Sequence, residues 1–408
     1  MEMQQGGAGA LSYPRSVQLH RTDLYDVVMT VLLMIFLFFF FVGEKIESLP
    51  LPVRIEDFVF ILLLPFGYRY INRPKTKLFY WVAAYFAVNL IPYGAQFLAG
   101  EYSLSFYPII MVKEMQYFYV AYLLVENRSR WTLGTLDFLS LLIIGNGVRA
   151  IYQGEISYYG IGSFGNATAP SLVGALYLFS TIWLHVRTKL LNRKEHRWMG
   201  RIIVAAGFTC VLATISRSSI AAMAVYIFVY LVMTNVKLLP AFFAGLGVST
   251  KAVQIAALFG SGVGVLAAKV VGRAALVGSA ALERSNKWEF YLSTFQPMDY
   301  LFGMGKGYPN ALESRLGLGV DSQYIRLIME NGFVGGVVLI GILGTMLTHI
   351  YRRGGEWVHA SAIVLAMMVM SVPLEALQVS KSGGFFWLLM FYLYSCQRKT
   401  PAAVRATA

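Results

Sequence analysis

Long apolar runs recur along this chain, separated by short polar gaps, and their lengths set the first expectation. A membrane's hydrocarbon layer is about 30 Å thick, and at about 1.5 Å of helix per residue a span needs roughly 20 apolar residues. Runs of that order lie at 24–42, 57–71, 78–98, 105–125, 132–151 and 168–186, and then at 202–216, 219–235, 238–260, 332–350, 358–376 and 384–396. The run at 238–260 is the weakest and the run at 384–396 the shortest. The pattern predicts an all-α polytopic membrane protein of about a dozen spans. One transmembrane domain would cover 24–396, with polar tails at 1–23 and 397–408. The first run is too long for a signal-peptide core, and no small-residue cleavage site follows it, so it reads as a retained span.

One long interval breaks the rhythm. Residues 272–331 contain no membrane-length run and hold Arg273, Arg284, Lys287, Lys306, Arg315, Asp321 and Arg326. Basic residues elsewhere sort by side. With the N-terminus cytoplasmic, one set of gaps collects Arg69, Arg73, Lys75, Lys77, Arg128, Arg130, Arg187, Lys189, Arg193, Lys194, Arg197, Arg201, Lys237, Arg352 and Arg353. The short loops of the other face hold Lys45, Arg54, Arg217 and Lys381. This is the positive-inside asymmetry, and it places both termini in the cytoplasm. Segment 272–331 then falls on the outer face, between the ninth and tenth spans. Long translocated loops escape the charge rule, so the cations there have another reason to be kept.

Composition agrees with this picture and removes two function classes. The chain is 57% hydrophobic and 13% charged, with a mean hydropathy of +0.59, well outside the soluble range. The net charge of +13 is mostly the topology signal just described, not a nucleic-acid footprint. Cys210 and Cys396 both sit in apolar runs, so no disulfide framework is implied. GMGKG at 303–307 has the glycines of a phosphate loop but lacks the strand and helix such a loop needs.

Charges inside or at the edge of spans are functional candidates by default. Lys113 and Glu114 are adjacent within one run, so they point to different sides of their helix; a structural ion pair and a substrate role are both open to Lys113. Arg149, Lys251 and Glu375 also lie in or near runs. Arg217, with Ser216, Ser218 and Ser219 beside it, sits in a tight turn between the seventh and eighth runs. The start of the following helix would add free N–H groups and positive dipole, the elements of an anion site. A boundary arginine snorkelling to lipid phosphate is the alternative. Arg284 in ERSNKW precedes Trp288 by four residues on an expected helix, where a solvated charge is equally open. Asp321 opens DSQYIRLIMENG, expected to be amphipathic with Tyr324, Ile325, Ile328 and Met329 on apolar faces. Asp at a helix start is commonly an N-cap; a general base is the functional alternative. His185, His349 and His359 are expected to be interfacial, and no metal spacing joins them.

The order of these features resembles the O-antigen ligase and O-antigen polymerase superfamily of bacterial envelopes. The resemblance rests on TISRSS (Arg217), ERSNKW (Arg284), LFGMGKGYP (Gly303, Gly305, Gly307) and DSQYIRLIMENGFVGG (Asp321 to Gly336), with GSFGNATAP at 162–170 upstream. It covers the C-terminal half; the N-terminal half matches in topology alone. It implies about a dozen spans and a large outer loop between the ninth and tenth. It also implies a glycosyltransferase of the bacterial cytoplasmic membrane, acting on the periplasmic face without cofactor or metal. The substrate would be an undecaprenyl-diphosphate-linked glycan, with membrane lipid and other polysaccharide-assembly proteins, such as a chain-length regulator, as further partners. Arg217 and Arg284 would bind the diphosphate and Asp321 would serve as base or position the acceptor. Lys306, Arg315, Arg326, Lys113 and Tyr308 are further substrate contacts. Ligases carry a histidine where Asp321 stands, so the chain leans towards a polymerase of O-antigen or exopolysaccharide repeat units. A ligase transferring glycan to lipid A core or protein comes second, and a transporter of lipid-linked sugars third.

Overall fold

The structure is a computed structural model. It describes residues 24–42, 54–70, 77–99, 107–127, 130–153, 156–157, 160–161, 170–191, 197–214, 216–238, 240, 286–305, 308–309, 312, 320, 322–353, 356–372 and 380–395. The expected span 238–260 apart from 238 and 240, and residues 272–285, 306–307, 310–311, 313–319 and 321 of the segment 272–331, lie outside the described residues.

Among the described residues the fold is helical apart from a short hairpin, Ile156–Ser157 with Gly160–Ile161. Its helices are α1 (Leu24–Val42), α2 (Ile55–Leu63), α3 (Lys77–Ala99), α4 (Tyr107–Asn127), α5 (Arg130–Tyr152), α6 (Pro170–Leu191), α7 (Arg197–Ala213) and α8 (Arg217–Thr234). After these come α9 (286–293), α10 (Pro297–Phe302), α11 (Gln323–Arg352), α12 (Trp357–Ser371) and α13 (Ser380–Ser395). Most of these fall within a few residues of the apolar runs. The run at 57–71 is split instead: α2 ends at Leu63 and a 3₁₀ stretch, Leu64–Tyr70, carries the chain through Pro65 and Gly67.

Four helices of the described residues are long and apolar enough to cross a membrane: Leu24–Phe41, Trp131–Tyr152, Arg217–Thr234 and Gln323–Arg352. Their outward faces are apolar. Val31, Ile35 and Phe38 on α1, Phe138 and Leu141 on α5, and Val337 and Ile340 on α11 are all exposed, more apolar surface than a soluble monomer leaves to water.

Side-chain contacts give the directions of the helices. Trp183 of α6 donates to Asp137 of α5 (2.7 Å), while Gly147 lies against Tyr177, so α5 and α6 are antiparallel. Gly200 and Gly207 of α7 lie against Thr188 and Thr181 of α6, again antiparallel. Small residues let these helices approach closely, as membrane helix pairs do. Ser219 donates to the Ser171 carbonyl (3.0 Å) and Tyr226 meets His185 (3.3 Å), so α8 runs parallel to α6. Phe179–Phe385 and Trp183–Tyr392 ring contacts make α13 parallel to α6 as well. Helix α6 is therefore the axis of the bundle, buried from Val173 to Val186 save His185. Sheathed by protein, it can carry Thr181, whose hydroxyl bonds the Tyr177 carbonyl at 2.6 Å.

Candidate functional site

Of the expected site residues, Arg217 lies at the end of the bundle where α6 and α8 begin, and Arg326 lies on the helix bonded through Tyr324 to the neighbouring α12. Helix α11 is two helices in one. Gly332 has φ 61° and ψ −171°, which breaks the helix after its first nine residues, 323–331. That break strands carbonyls, and the loop after α10 meets them: Met304 N–H donates to Met329 O (2.6 Å) and Gly305 N–H to Glu330 O (3.1 Å). Two glycines make this approach feasible. A Cβ on Gly303 (φ 77°) would strike the Glu330 backbone, and one on Gly332 the Leu301 carbonyl. LFGMG and ENG are thus one piece of structure, and two of the glycine-rich loop's amides are already bonded to the protein.

The short helix turns its polar side inward. Gln323, Arg326, Glu330 and Asn331 are 3%, 7%, 0% and 0% exposed, and Arg326 Nε donates to Glu330 Oε1 at 3.1 Å. Tyr324 is exposed and donates to the Met368 carbonyl of α12 (2.8 Å). Ile325 and Met329 instead join Tyr291, Val320 and Tyr308 in a small separate core. The helix is amphipathic, as its sequence predicts, but it is the polar side that is buried. Arg326, expected as an anion contact, is spoken for by Glu330. Tyr308 packs partly buried in the small core.

Ser322, with extended φ −150° and ψ 127°, is the N-cap of this helix, so the capping position is not that of Asp321. Trp288 of α9 donates to the Val320 carbonyl at 3.2 Å. The chain just after Arg284 is therefore tied to the residue just before Asp321. Arg284, Lys306, Arg315 and Asp321 themselves lie outside the described residues, as do Tyr158, Tyr159 and the 162–169 element.

The N-terminal half reaches the same place. Asn331 Nδ2 donates to the Tyr85 hydroxyl of α3 (3.4 Å), and that hydroxyl donates to Glu114 of α4 (3.4 Å). Lys113 turns the other way and pairs with Asp57 of α2 at 3.5 Å. The adjacent charges do separate to different sides of their helix, and Lys113 has the structural ion pair. Nothing in the sequence around Tyr85 or Asn331 marks them as site residues; the only signal is that Glu330 and Asn331 are polar residues abutting a span.

Arg217 is the first residue of α8 and is exposed. Ser216 caps the helix through a 3.5 Å bond from Ser219 N–H and sits 3.1 Å from the Ser218 hydroxyl. The N–H groups of Arg217 and Ser218 have no intrahelical acceptor, as in any first turn. Among the described residues Arg217 makes no ion pair. A guanidinium, free N–H groups and the positive helix end together suit an anion. Helix α12 packs along α8 and also receives the Tyr324 bond, so it stands between Arg217 and the short helix.

The opposite end holds two polar clusters that sequence reading missed. Arg187, counted there as a topology charge, is 8% exposed and bonds both oxygens of Asp137 at 2.9 and 3.0 Å. His359, expected at an interface, is fully buried. Its Nδ1 and that of half-buried His185 both meet the Tyr226 hydroxyl, at 2.9 and 3.3 Å. Comparison of the chain with known protein families, curated proteins and solved structures finds no match.

Proposed function

We propose that this chain is a multi-pass membrane glycosyltransferase that polymerises undecaprenyl-diphosphate-linked repeat units on the outer face of the bacterial cytoplasmic membrane. The reading includes about a dozen spans and both termini in the cytoplasm. The observation that carries it is Arg217, exposed and without an acidic partner among the described residues, at the start of a helix whose first turn also holds buried serine hydroxyls. The order of motifs around it, shared in outline with O-antigen polymerases, supplies the substrate class.

The chemistry follows from the residues. The acceptor hydroxyl oxygen bonds to the anomeric carbon, the bond from that carbon to the phosphate oxygen breaks, and the lipid diphosphate leaves. One such displacement inverts the anomeric centre. Arg217 and Arg284 meet the charge that grows on the leaving diphosphate, each able to give two hydrogen bonds to phosphate oxygens. Asp321 takes the hydroxyl proton, a role worth about 10²–10⁴-fold in rate.

The test is reconstitution. Purified protein receives a synthetic undecaprenyl-diphosphate oligosaccharide alone, and products are resolved by size. A ladder of longer glycans supports the polymerase. Diphosphate release only on adding lipid A core or a protein acceptor makes it a ligase. Binding that depends on Arg217 with no turnover on any acceptor points to transport.

A further inference from the structure

Helices α3, α4, α11 and α13 line a partly open cavity of about 20 Å³, room for one water-sized group. Tyr85, Glu114 and Gln323 form its polar wall, and Phe118 and Trp387, with rings 4.6 Å apart, part of its apolar one. Gln323 is the second residue after Asp321 in the chain. Two amides converge on Tyr85 beside this cavity. Asn331, fully buried, donates to its hydroxyl (3.4 Å), and Asn89, 1% exposed, donates to its carbonyl (2.7 Å). The Oδ1 atom of each is buried with no hydrogen-bond partner among the described residues. A buried acceptor left without a donor costs about 1–3 kcal/mol, and native proteins seldom keep such groups without a use for them.

The asparagines lie outside the lining, but a carboxylate, a phenol and the Gln323 amide in the wall of a one-group cavity suit a compact donor, and a hydroxyl fits both size and chemistry. We propose that this cavity is an acceptor subsite, in which Glu114 and Tyr85 hold one hydroxyl of the sugar that receives the growing chain. The inference rests on the glycosyltransferase reading and deepens it: the N-terminal half, which carries none of the quoted motifs apart from the 162–170 element, supplies acceptor recognition. Glu114 and Tyr85 bind and place the acceptor and take no part in bond breaking. A permanently held water offers the same O–H group, and the experiment separates the two sources.

Full-length protein in lipid nanodiscs is titrated by calorimetry with short free oligosaccharides ending in glucose, galactose, rhamnose or N-acetylglucosamine. Tyr85→Phe and Glu114→Gln are compared with wild type, both near-isosteric, with thermal midpoints recorded to confirm folding. The expected result is that at least one oligosaccharide binds, and that each variant weakens its binding about tenfold. With the lipid-linked substrate, the variants raise the acceptor KM by a similar factor while kcat stays within about twofold. A monodeoxy acceptor lacking the held hydroxyl loses about tenfold on wild type and nothing further on Glu114→Gln. If the variants bind every oligosaccharide as wild type does, or if none binds wild type, the cavity holds water only and the proposal is overturned. Sugar binding that depends on Glu114 without turnover would sink the transferase reading while keeping the subsite.

Discussion

Arg187 closes one end of the α6–α8 pair, and Arg217 stands at the other, sixteen residues away along the helices or about 24 Å at 1.5 Å per residue. Arg187 is buried, bonds both carboxylate oxygens of Asp137, donates to the Tyr392 hydroxyl (3.2 Å) and lies 5.9 Å from the ring centroids of Trp183 and Tyr392. All three guanidinium nitrogens donate to built-in partners, and three helices are pinned together. Arg217 is exposed, with serine hydroxyls and helix N–H groups around it and no carboxylate among the described residues. The same side chain is a rivet where its partners are built in and a docking point where they are not. The contrast extends to the surroundings. Near Asp137 the charged groups close on one another, although the buried Ser140 and Ser180 hydroxyls one turn along α5 and α6 have no partner among the described residues; near Tyr85 it is two amide oxygens that stay open.

If that contrast is right, the two arginines fail in different ways. Arg187→Ala leaves Asp137 without its cation inside the bundle. Losing one partner of a buried pair costs about 3–5 kcal/mol, and the low end applies here because the Asp137 side chain is 26% exposed. The expected outcome is a large fall in thermal midpoint, with Arg187→Lys recovering little because a single ammonium cannot fork two oxygens. An unchanged midpoint would show that the pair is ornamental. Arg217→Ala should fold normally yet lose about 100-fold or more in transfer rate, the usual effect of removing one donor to developing charge. Arg217→Lys should recover part of it. A full transfer rate with Arg217→Ala removes the diphosphate role and with it the main support for the proposed chemistry.

How far the sequence could take this reading depends on the kind of signal. Helix positions followed from apolar run length, a local property, so α1 spans the same residues as its run and α5 begins within a few residues of its own. The tight turn before Arg217 was legible because two runs abut there. In the second run Pro65 and Gly67 interrupt an otherwise apolar stretch, and the helix stops at Leu63 ahead of them. The polar convergences were not legible. Tyr85 and Asn331 are 246 residues apart, and His359 lies 133 residues from Tyr226; nothing local to either residue announces a partner. Nor does run length tell which face of a short amphipathic helix is covered. Arg326 is expected as an anion contact, yet it pairs with Glu330 one turn on along the same helix (3.1 Å), and both are buried there.

That break gives the next test on the outer end. Gly332 sits at φ 61°, ψ −171°, a conformation close to glycine-only, and an added Cβ would overlap the Leu301 carbonyl. Gly332→Ala should destabilise by about 2 kcal/mol, within the range for a residue forced into such a region. Its effect on transfer should exceed its effect on the midpoint, because the short helix carrying Gln323 moves with it. Equal losses in both would mean that the break serves only packing.

The smallest expected effect returns to the closed end. Tyr226 bridges His185 and His359 through one hydroxyl, which has a single proton to donate and so gives to one ring and accepts from the other. Tyr226→Phe removes that bridge without opening a cavity. Neutral imidazoles can exchange tautomers to recover part of the loss, so the cost should be about 1 kcal/mol, the typical worth of one net hydrogen bond. It should be read as a small drop in thermal midpoint with the transfer rate unchanged, since Tyr226 lies nine residues along α8 from Arg217, about 14 Å at 1.5 Å per residue. A transfer rate that fell with the midpoint nearly intact would break the division between the two ends. It would mean that the His–Tyr–His bridge is felt along α8 at its serine-lined start, and that the end with closed polar sets does more than hold helices together.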